Sequence, residues 1–119
     1  MSVPFMWFDL RTADSDAAAE FYRQMFRWDI ADAGVGGYQS WIGTGPQSWA
    51  GIVTAAPGTT GEWLPFVVVD DLDQATKQAV SLGATVTSEA SDGPAGTSVT
   101  IADPGGAKLA LFKPFPAAK

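Results

Sequence analysis

The 119-residue chain has no cysteine and no histidine. Without cysteine there is no disulfide framework, no thiolate nucleophile and no zinc ribbon, and thiols say nothing about redox compartment. Without histidine the commonest metal ligand and the commonest general base are missing together. Ser-His-Asp triads, Cys-His pairs and His-rich metal sites are therefore excluded. Positive charge is scarce too. Seven Lys and Arg stand against 13 Asp and Glu, giving a net charge of −6 and a pI near 4.2. That balance disfavours phosphate backbones and anionic membrane surfaces, so no nucleic acid and no membrane are expected as partners. No apolar run approaches the ~20 residues of a membrane span. The start, Met1-Ser2-Val3-Pro4-Phe5, lacks a basic segment and an apolar signal core. A cytoplasmic location is the expectation.

Apolar and aromatic residues are plentiful. Hydrophobic residues make up 46%, with five Trp, seven Phe and two Tyr, which excludes disorder and suits a single domain over the whole chain. Val3 to Arg11 reads as a strand, with Phe5, Trp7 and Asp9 on one face and Met6, Phe8 and Leu10 on the other. Asp14 is a good N-cap for a helix over Ser15–Phe26, whose stripe is Ala17, Ala18, Phe21, Tyr22 and Met25. Strands follow near Trp28–Ala33, Gly37–Gly43 and Ser48–Ala55, broken by Gly34, Gly36-Gly37 and Gly45-Pro46.

After the linker-like stretch Pro57–Gly61 the order restarts. Trp63–Asp70 is an apolar strand. Asp71 caps a helix striped by Leu72, Ala75, Ala79 and Leu82, with Gly83 as its C-terminal signal. Strands near Ala84–Glu89, Thr97–Ala102 and Ala107–Lys113 complete it, with turns at Asp92-Gly93-Pro94 and Asp103-Pro104-Gly105-Gly106. Both halves thus read strand, Asp-capped helix, three strands, at an offset of 57 positions between the caps. Module one covers about 1–56, the linker 57–61 and module two about 62–114, with a loose tail at 115–119. Neither half is large enough to bury its sheet alone. Packed together, two such halves can enclose a curved sheet with helices outside. The fold class expected is α+β.

Three passages resemble the vicinal oxygen chelate superfamily, which includes glyoxalases, bleomycin resistance proteins and extradiol dioxygenases. The first runs from Trp7-Phe8-Asp9-Leu10-Arg11 through Phe21-Tyr22 to Phe26-Arg27-Trp28. The second is Phe66-Val67-Val68-Val69-Asp70-Asp71-Leu72-Asp73 with Leu82-Gly83-Ala84. The third is the turn Asp103-Pro104-Gly105-Gly106 leading into Ala107-Lys108-Leu109. The resemblance implies paired βαβββ modules forming a cup of curved mixed sheet, usually in a homodimer. Family enzymes hold a divalent metal with His, Gln or Glu from both modules. Here the matching positions are Trp7, Leu64 and Ala110, and the first-half acidic ligand would fall at Gly51 to Val53. None supplies a metal donor, so no metal and no cofactor are expected.

The family's inward-facing pattern assigns the cup lining to Phe5, Trp7 and Asp9 from strand one and to Trp49, Gly51 and Val53 from strand four. Leu64, Phe66 and Val68 would open the second half, and Lys108, Ala110 and Phe112 would come from the last strand. Such a lining can stack a flat or apolar ligand, since aromatic pairs contribute ~0.5–1.5 kcal/mol beyond area burial. Alternatively it is ordinary core. Asp9 and Lys108 are the inward charges. A buried Asp9 with a raised pKa could act as an acid or base, and a Lys could pair with it or with an anionic ligand. A salt bridge or exposure at the rim is the simpler explanation of both, and the one favoured here. Asp71, Asp73 and Asp103 have structural explanations as a cap, a first-turn anion and a turn residue. Gly34 to Gly37 lacks the strand-to-helix setting of a phosphate loop. Arg27, where the family commonly has glycine, would satisfy last-turn carbonyls.

Three functional readings remain. The leading one is a metal-free protein that binds a small apolar or aromatic molecule, in the way resistance proteins sequester drugs. The second is an enzyme of the same fold, either a lyase or dioxygenase or a metal-free proton-transfer catalyst using Asp9. The third is a module that binds nothing and serves as a subunit.

Overall fold

Two aspartates start the two helices. Asp14 Oδ1 accepts the Ala17 N–H at 3.0 Å and opens α1 (Ser15–Phe26). Asp71 Oδ1 accepts the Gln74 N–H at 3.0 Å and opens α2 (Leu72–Ser81). Each carboxylate satisfies one of the N–H groups a helix start leaves unpaired. The helices end differently. Arg27 closes α1 in the left-handed conformation (φ 59°), its N–H reaching the Arg23 carbonyl at 2.9 Å. After α2 the left-handed residue is Gly83 (φ 106°), whose N–H reaches the Val80 carbonyl at 3.1 Å. That turn costs glycine nothing and a side chain something.

The computed structural model describes residues 4–35, 37–43 and 47–116. The expected strand start at Val3, the turn residues Gly36 and Gly45-Pro46, and the tail end at 117–119 lie outside the described residues. The strands are β1 (Phe5–Thr12), β2 (Ile30–Val35), β3 (Tyr38–Ile42), β4 (Ala50–Thr54), β5 (Glu62–Val68), β6 (Thr85–Asp92), β7 (Gly96–Ala102) and β8 (Lys108–Pro114). With α1 after β1 and α2 after β5, the order is βαβββ twice, and the class is α+β. β1 and β5 begin 57 positions apart, as do α1 and α2. The chain divides into two compact units, Trp7–Leu64 and the rest of the described residues, with β5 beginning in the first and ending in the second.

In the Trp7–Leu64 unit the strand order is β2-β3-β4-β1, with β1 parallel to β4 and the other neighbours antiparallel. One sheet face carries Leu10, Ile30, Ile42, Ala50 and Ile52, buried with Ala19 of α1. Each of the larger side chains stabilises the fold by roughly 1.5–3 kcal/mol on leaving water. Around this core lies an aromatic layer. Tyr22 stacks on Trp28 at 5.1 Å, Trp28 meets Trp49 edge-on at 4.9 Å, and Trp63 Nε1 donates to the Tyr22 hydroxyl at 3.2 Å. The Ser15 and Thr54 hydroxyls are hydrogen-bonded, tying the start of α1 to the end of β4.

In the other unit the order is β5-β8-β7-β6, with β5 parallel to β8. Val99, Ile101 and Leu111 form its core, packed against Leu72, Ala75 and Ala79 of α2. Lys113 Nζ donates to the Asp70 carbonyl at 2.6 Å. Asp103 Oδ1 accepts the N–H groups of Gly105 (2.9 Å) and Ala107 (3.0 Å), which shapes the turn before β8. β6 runs on to Asp92, past the expected end at Glu89, and Asp92 accepts a 2.6 Å bond from the Thr97 hydroxyl of β7.

Candidate functional site

The face of β1 turned away from the Leu10 core carries Trp7, Asp9 and Arg11, because strand side chains alternate. Asp9 pairs with Gly51 of β4, and Gly51 pairs in turn with Trp41 of β3. These residues therefore share one face. Trp7 Nε1 donates to Asp9 Oδ1 at 2.9 Å, and the Tyr38 hydroxyl donates to the same oxygen at 2.6 Å. Asp9 is buried, at 5% exposure, while Trp7, Tyr38 and Trp41 are half-buried.

Tyr38 reaches this face through a local irregularity. Alternation along β3 would place Tyr38 with Ser40 and Ile42, which are buried on the opposite side. A register shift between Tyr38 and Ser40 sets Tyr38 opposite Val53 instead and turns its ring over. The ring then lies against Gly51. A Cβ at position 51 would come within 2.4 Å of Tyr38 Cδ1 and Cε1, so only glycine leaves room. Tyr38 and Trp41 lie 4.6 Å apart between ring centroids, and Trp7 stands nearly perpendicular to both, at 6.3 and 6.0 Å. Three rings thus gather on this face, two of them hydrogen-bonded to one carboxylate.

Burial raises the Asp9 pKa above the ordinary aspartate value. The Tyr38 and Trp7 hydrogen bonds and the Arg11 charge pull it back only in part. The Tyr38 hydroxyl is pushed well above the ordinary phenol value by burial first, then by the Asp9 charge and the hydrogen bond. Tyr38 is therefore a fixed neutral donor at neutral pH.

The profile of the "Glyoxalase-like domain" family matches residues 6–112. The chain belongs to this family. It is 34% identical over 115 residues to CFP32 of Mycobacterium tuberculosis, a candidate glyoxylase by name, covering 90% of this chain and 44% of that protein. It is 29% identical over 125 residues to the anthracycline biosynthesis protein DnrV of Streptomyces peucetius, covering 90% of this chain and 46% of that protein. The chain thus spans about half the length of these curated relatives. Among solved structures, the Mn(II)-bound glyoxalase of Novosphingobium aromaticivorans matches with a TM-score of 0.63 at 15% identity, over 98% of this chain and 42% of that one. Methylmalonyl-CoA epimerase of Mycobacterium tuberculosis matches with a TM-score of 0.61 at 20% identity, over 98% and 94%. These structures establish the vicinal oxygen chelate fold.

The family's metal does not fit the residues present. Trp7, Leu64 and Ala110 have no oxygen, thiolate or imidazole to offer, and Trp7 spends its one N–H on Asp9. Among the described residues, no three Asp, Glu, His or Cys side chains come together as a metal-binding group.

Of the residues named from sequence, Trp7, Asp9, Gly51 and Val53 come together on this face. Trp49 does not, and the expectation that it lies beside Gly51 is corrected. It packs in the α1-side aromatic layer with Phe8 (6.1 Å), Trp28 (4.9 Å) and Trp63 (6.2 Å). The period-two count applies only within a strand, and Trp49 lies just before β4. Leu64 is buried in β5, at 1% exposure. In the other unit Phe66 meets Phe112 edge-on at 5.8 Å and pairs with the buried Ala110. Phe5 and Lys108 are exposed. Tyr38 and Trp41 escaped the sequence reading, though both are aromatic residues on a strand flanked by glycines.

A groove lies on the α1 side of the same unit. It is open, of about 330 Å³, and lined by Leu10, Ala18, Phe21, Tyr22, Glu62 and Trp63. Its polar ring atoms, the Trp63 N–H and the Tyr22 hydroxyl, already bond each other.

Proposed function

We propose that this protein binds a small apolar or aromatic molecule without a metal, on the β1–β3–β4 face opposite α1. The observation that carries the reading is the gathering of Trp7, Tyr38 and Trp41 around Asp9 over Gly51. Half-buried rings offer flat apolar surface, and one oriented carboxylate gives direction, the combination small-molecule sites use. The same position supplies a metal donor in family enzymes, and here it supplies an indole. The name of the relative DnrV ties it to anthracycline biosynthesis, and a flat polycyclic ligand is the sort of molecule this face would stack. The proposal includes a cytoplasmic location. It also includes assembly as a homodimer, for which the exposed apolar residues Phe21, Met25 and Phe26 of α1 provide a surface.

A second reading, proton transfer by Asp9, is favoured by its burial and raised pKa. It needs binding at the same face, so binding is tested first. The probe is 2-naphthol, followed by saturation-transfer NMR with wild type and Trp7→Ala. The expected result is binding to wild type that weakens by roughly 1–3 kcal/mol in the variant, with a smaller loss of stability. If Trp7 is sealed core, stability falls by roughly 3–5 kcal/mol instead and wild type shows no contact with the probe. Metal analysis of protein purified without chelators should find far less than one ion per chain. Stoichiometric metal would overturn the metal-free part.

A further inference from the structure

Among this unit's described residues Asp9 is the one buried ionisable side chain, and no cationic group hydrogen-bonds it. Both donors, the Trp7 indole and the Tyr38 hydroxyl, are uncharged, and both converge on Oδ1. The ion pairs among the described residues, Arg23–Glu20 and Lys77–Asp73, lie on exposed helix surfaces. Arg11, two residues along on the same strand face, is the weakest of the influences on Asp9 and makes no ion pair with it. Buried carboxylates are ordinarily paired with a cation, because desolvating an unpaired one is costly. The surrounding walls are also of a particular kind. Ring faces attract cations, and tryptophan does so best, with tyrosine next. Trp7, Trp41 and Tyr38 are the three rings here, and none is fully buried.

We propose that the ligand carries a positive charge, as a protonated amine or quaternary ammonium on a flat apolar body, and that its cation is the missing partner of Asp9. The inference rests on the reading that this face binds small molecules. In this arrangement the two neutral donors hold the carboxylate in place through Oδ1, the ammonium approaches it, and the apolar body stacks on the exposed parts of the rings. The chain's net charge of −6 draws such ligands from solution. Desolvation around Asp9 makes the contact stronger than one at the surface.

The test uses a pair of probes that share a skeleton, phenethylamine and 2-phenylethanol. Affinities are measured by saturation-transfer NMR titration of the full chain near neutral pH. The amine should bind wild type about tenfold more tightly than the alcohol, or better. Asp9→Asn keeps an oxygen that can accept from Trp7 and Tyr38, and it should bring the amine's affinity down to the alcohol's. If Asp9→Asn fails to fold, acidifying wild type replaces it. Protonating Asp9 should then erase the preference while phenethylamine remains charged. Equal affinities in wild type would overturn the cation inference and leave the binding reading standing. A preference that survives in Asp9→Asn, or at acid pH, would place the amine elsewhere on the acidic surface and overturn it likewise. If neither probe binds, both the inference and the binding reading fall.

Discussion

Gly51→Ala tests whether the Asp9 constellation is held by packing as well as by hydrogen bonds. The added Cβ would lie 2.4 Å from Tyr38 Cδ1 and Cε1 and 3.3 Å from Trp7 Cζ2. Carbon atoms in contact sit roughly 3.5–4.0 Å apart, so the Tyr38 ring must retreat by about 1 Å or more. The backbone at position 51 cannot yield instead, because it is laddered to Asp9 on one side and to Trp41 on the other. The retreat pulls the Tyr38 hydroxyl away from its 2.6 Å contact with Asp9. Losing a hydrogen bond to a charged group costs roughly 1.5–3 kcal/mol, and overpacking costs roughly 1–3 kcal/mol. Alanine's smaller unfolded-state entropy works the other way by about 0.5–1 kcal/mol. The net expectation is a loss of roughly 2–4 kcal/mol.

Urea unfolding of Gly51→Ala, Tyr38→Phe and the double variant reads this out. In the Tyr38→Phe background the ring still clashes but the hydroxyl is already gone. There the cost of Gly51→Ala should shrink by roughly 1.5–3 kcal/mol. A loss below about 0.5 kcal/mol for the single variant is within the scatter of surface substitutions and would refute the close packing. An equal loss in both backgrounds would refute the coupling to Asp9.

Three further outcomes follow from other parts of the fold. Arg27→Gly relieves the left-handed residue at the end of α1, and thermal unfolding should show a gain of about 0.5–1 kcal/mol after glycine's entropy is set against the relief; a loss would mean that the arginine side chain stabilises the terminus. For Asp9 the folded pKa lies above the unfolded one, which is near the ordinary 3.8. Between those two values the folded state binds more protons, so Asp9's contribution to stability falls as pH rises through that window. Asp9→Asn should flatten that decline in a pH series of urea midpoints, and an unchanged decline would assign it to other groups. Light scattering at micromolar concentration should give twice the 12.5 kDa chain mass, and a monomer mass would reject the homodimer.

The helices were legible because their signals are local. Asp14 and Asp71 stand beside the stripes they cap, and the structure places α1 at the expected Ser15–Phe26. Strand identities and the doubled βαβββ order were legible too, since glycine and proline punctuate them and the 57-residue offset recurs. The site was legible only where a strand kept its alternation. Trp7 and Asp9, two apart in the middle of β1, fall on the face that counting assigns them. Trp49 fails because it lies one residue outside β4. Tyr38 fails in the opposite sense, since the irregularity before Ser40 turns onto the site face a ring that counting assigns to the core. No local sequence signal marks that shift. It becomes visible only once β3 is laddered against β4, where Gly51 is the residue small enough to accept the ring.

With position 7 taken as the family's metal-ligand position, the proposed reading accounts for the rest of the site. A family enzyme that places a metal ligand there needs further donors at the other matched positions, because one ligand does not hold a cation tightly. Here those positions are Leu64 and Ala110, and the polar atoms near Trp7 belong to Asp9 and Tyr38 instead. A carboxylate beside a divalent ion would be ionised and directed at the metal. In this chain Asp9 Oδ1 is directed at an indole N–H and a phenol O–H, a geometry that fixes its orientation without neutralising it. Burial takes most of the Asp9 side chain out of water, which raises the cost of leaving that charge alone. A substitution at position 7 therefore reaches beyond one ligand. With tryptophan there, Asp9 has an oriented donor and Tyr38 has a second ring to pack beside, and the proposed face presents rings where a metal ion would need donors.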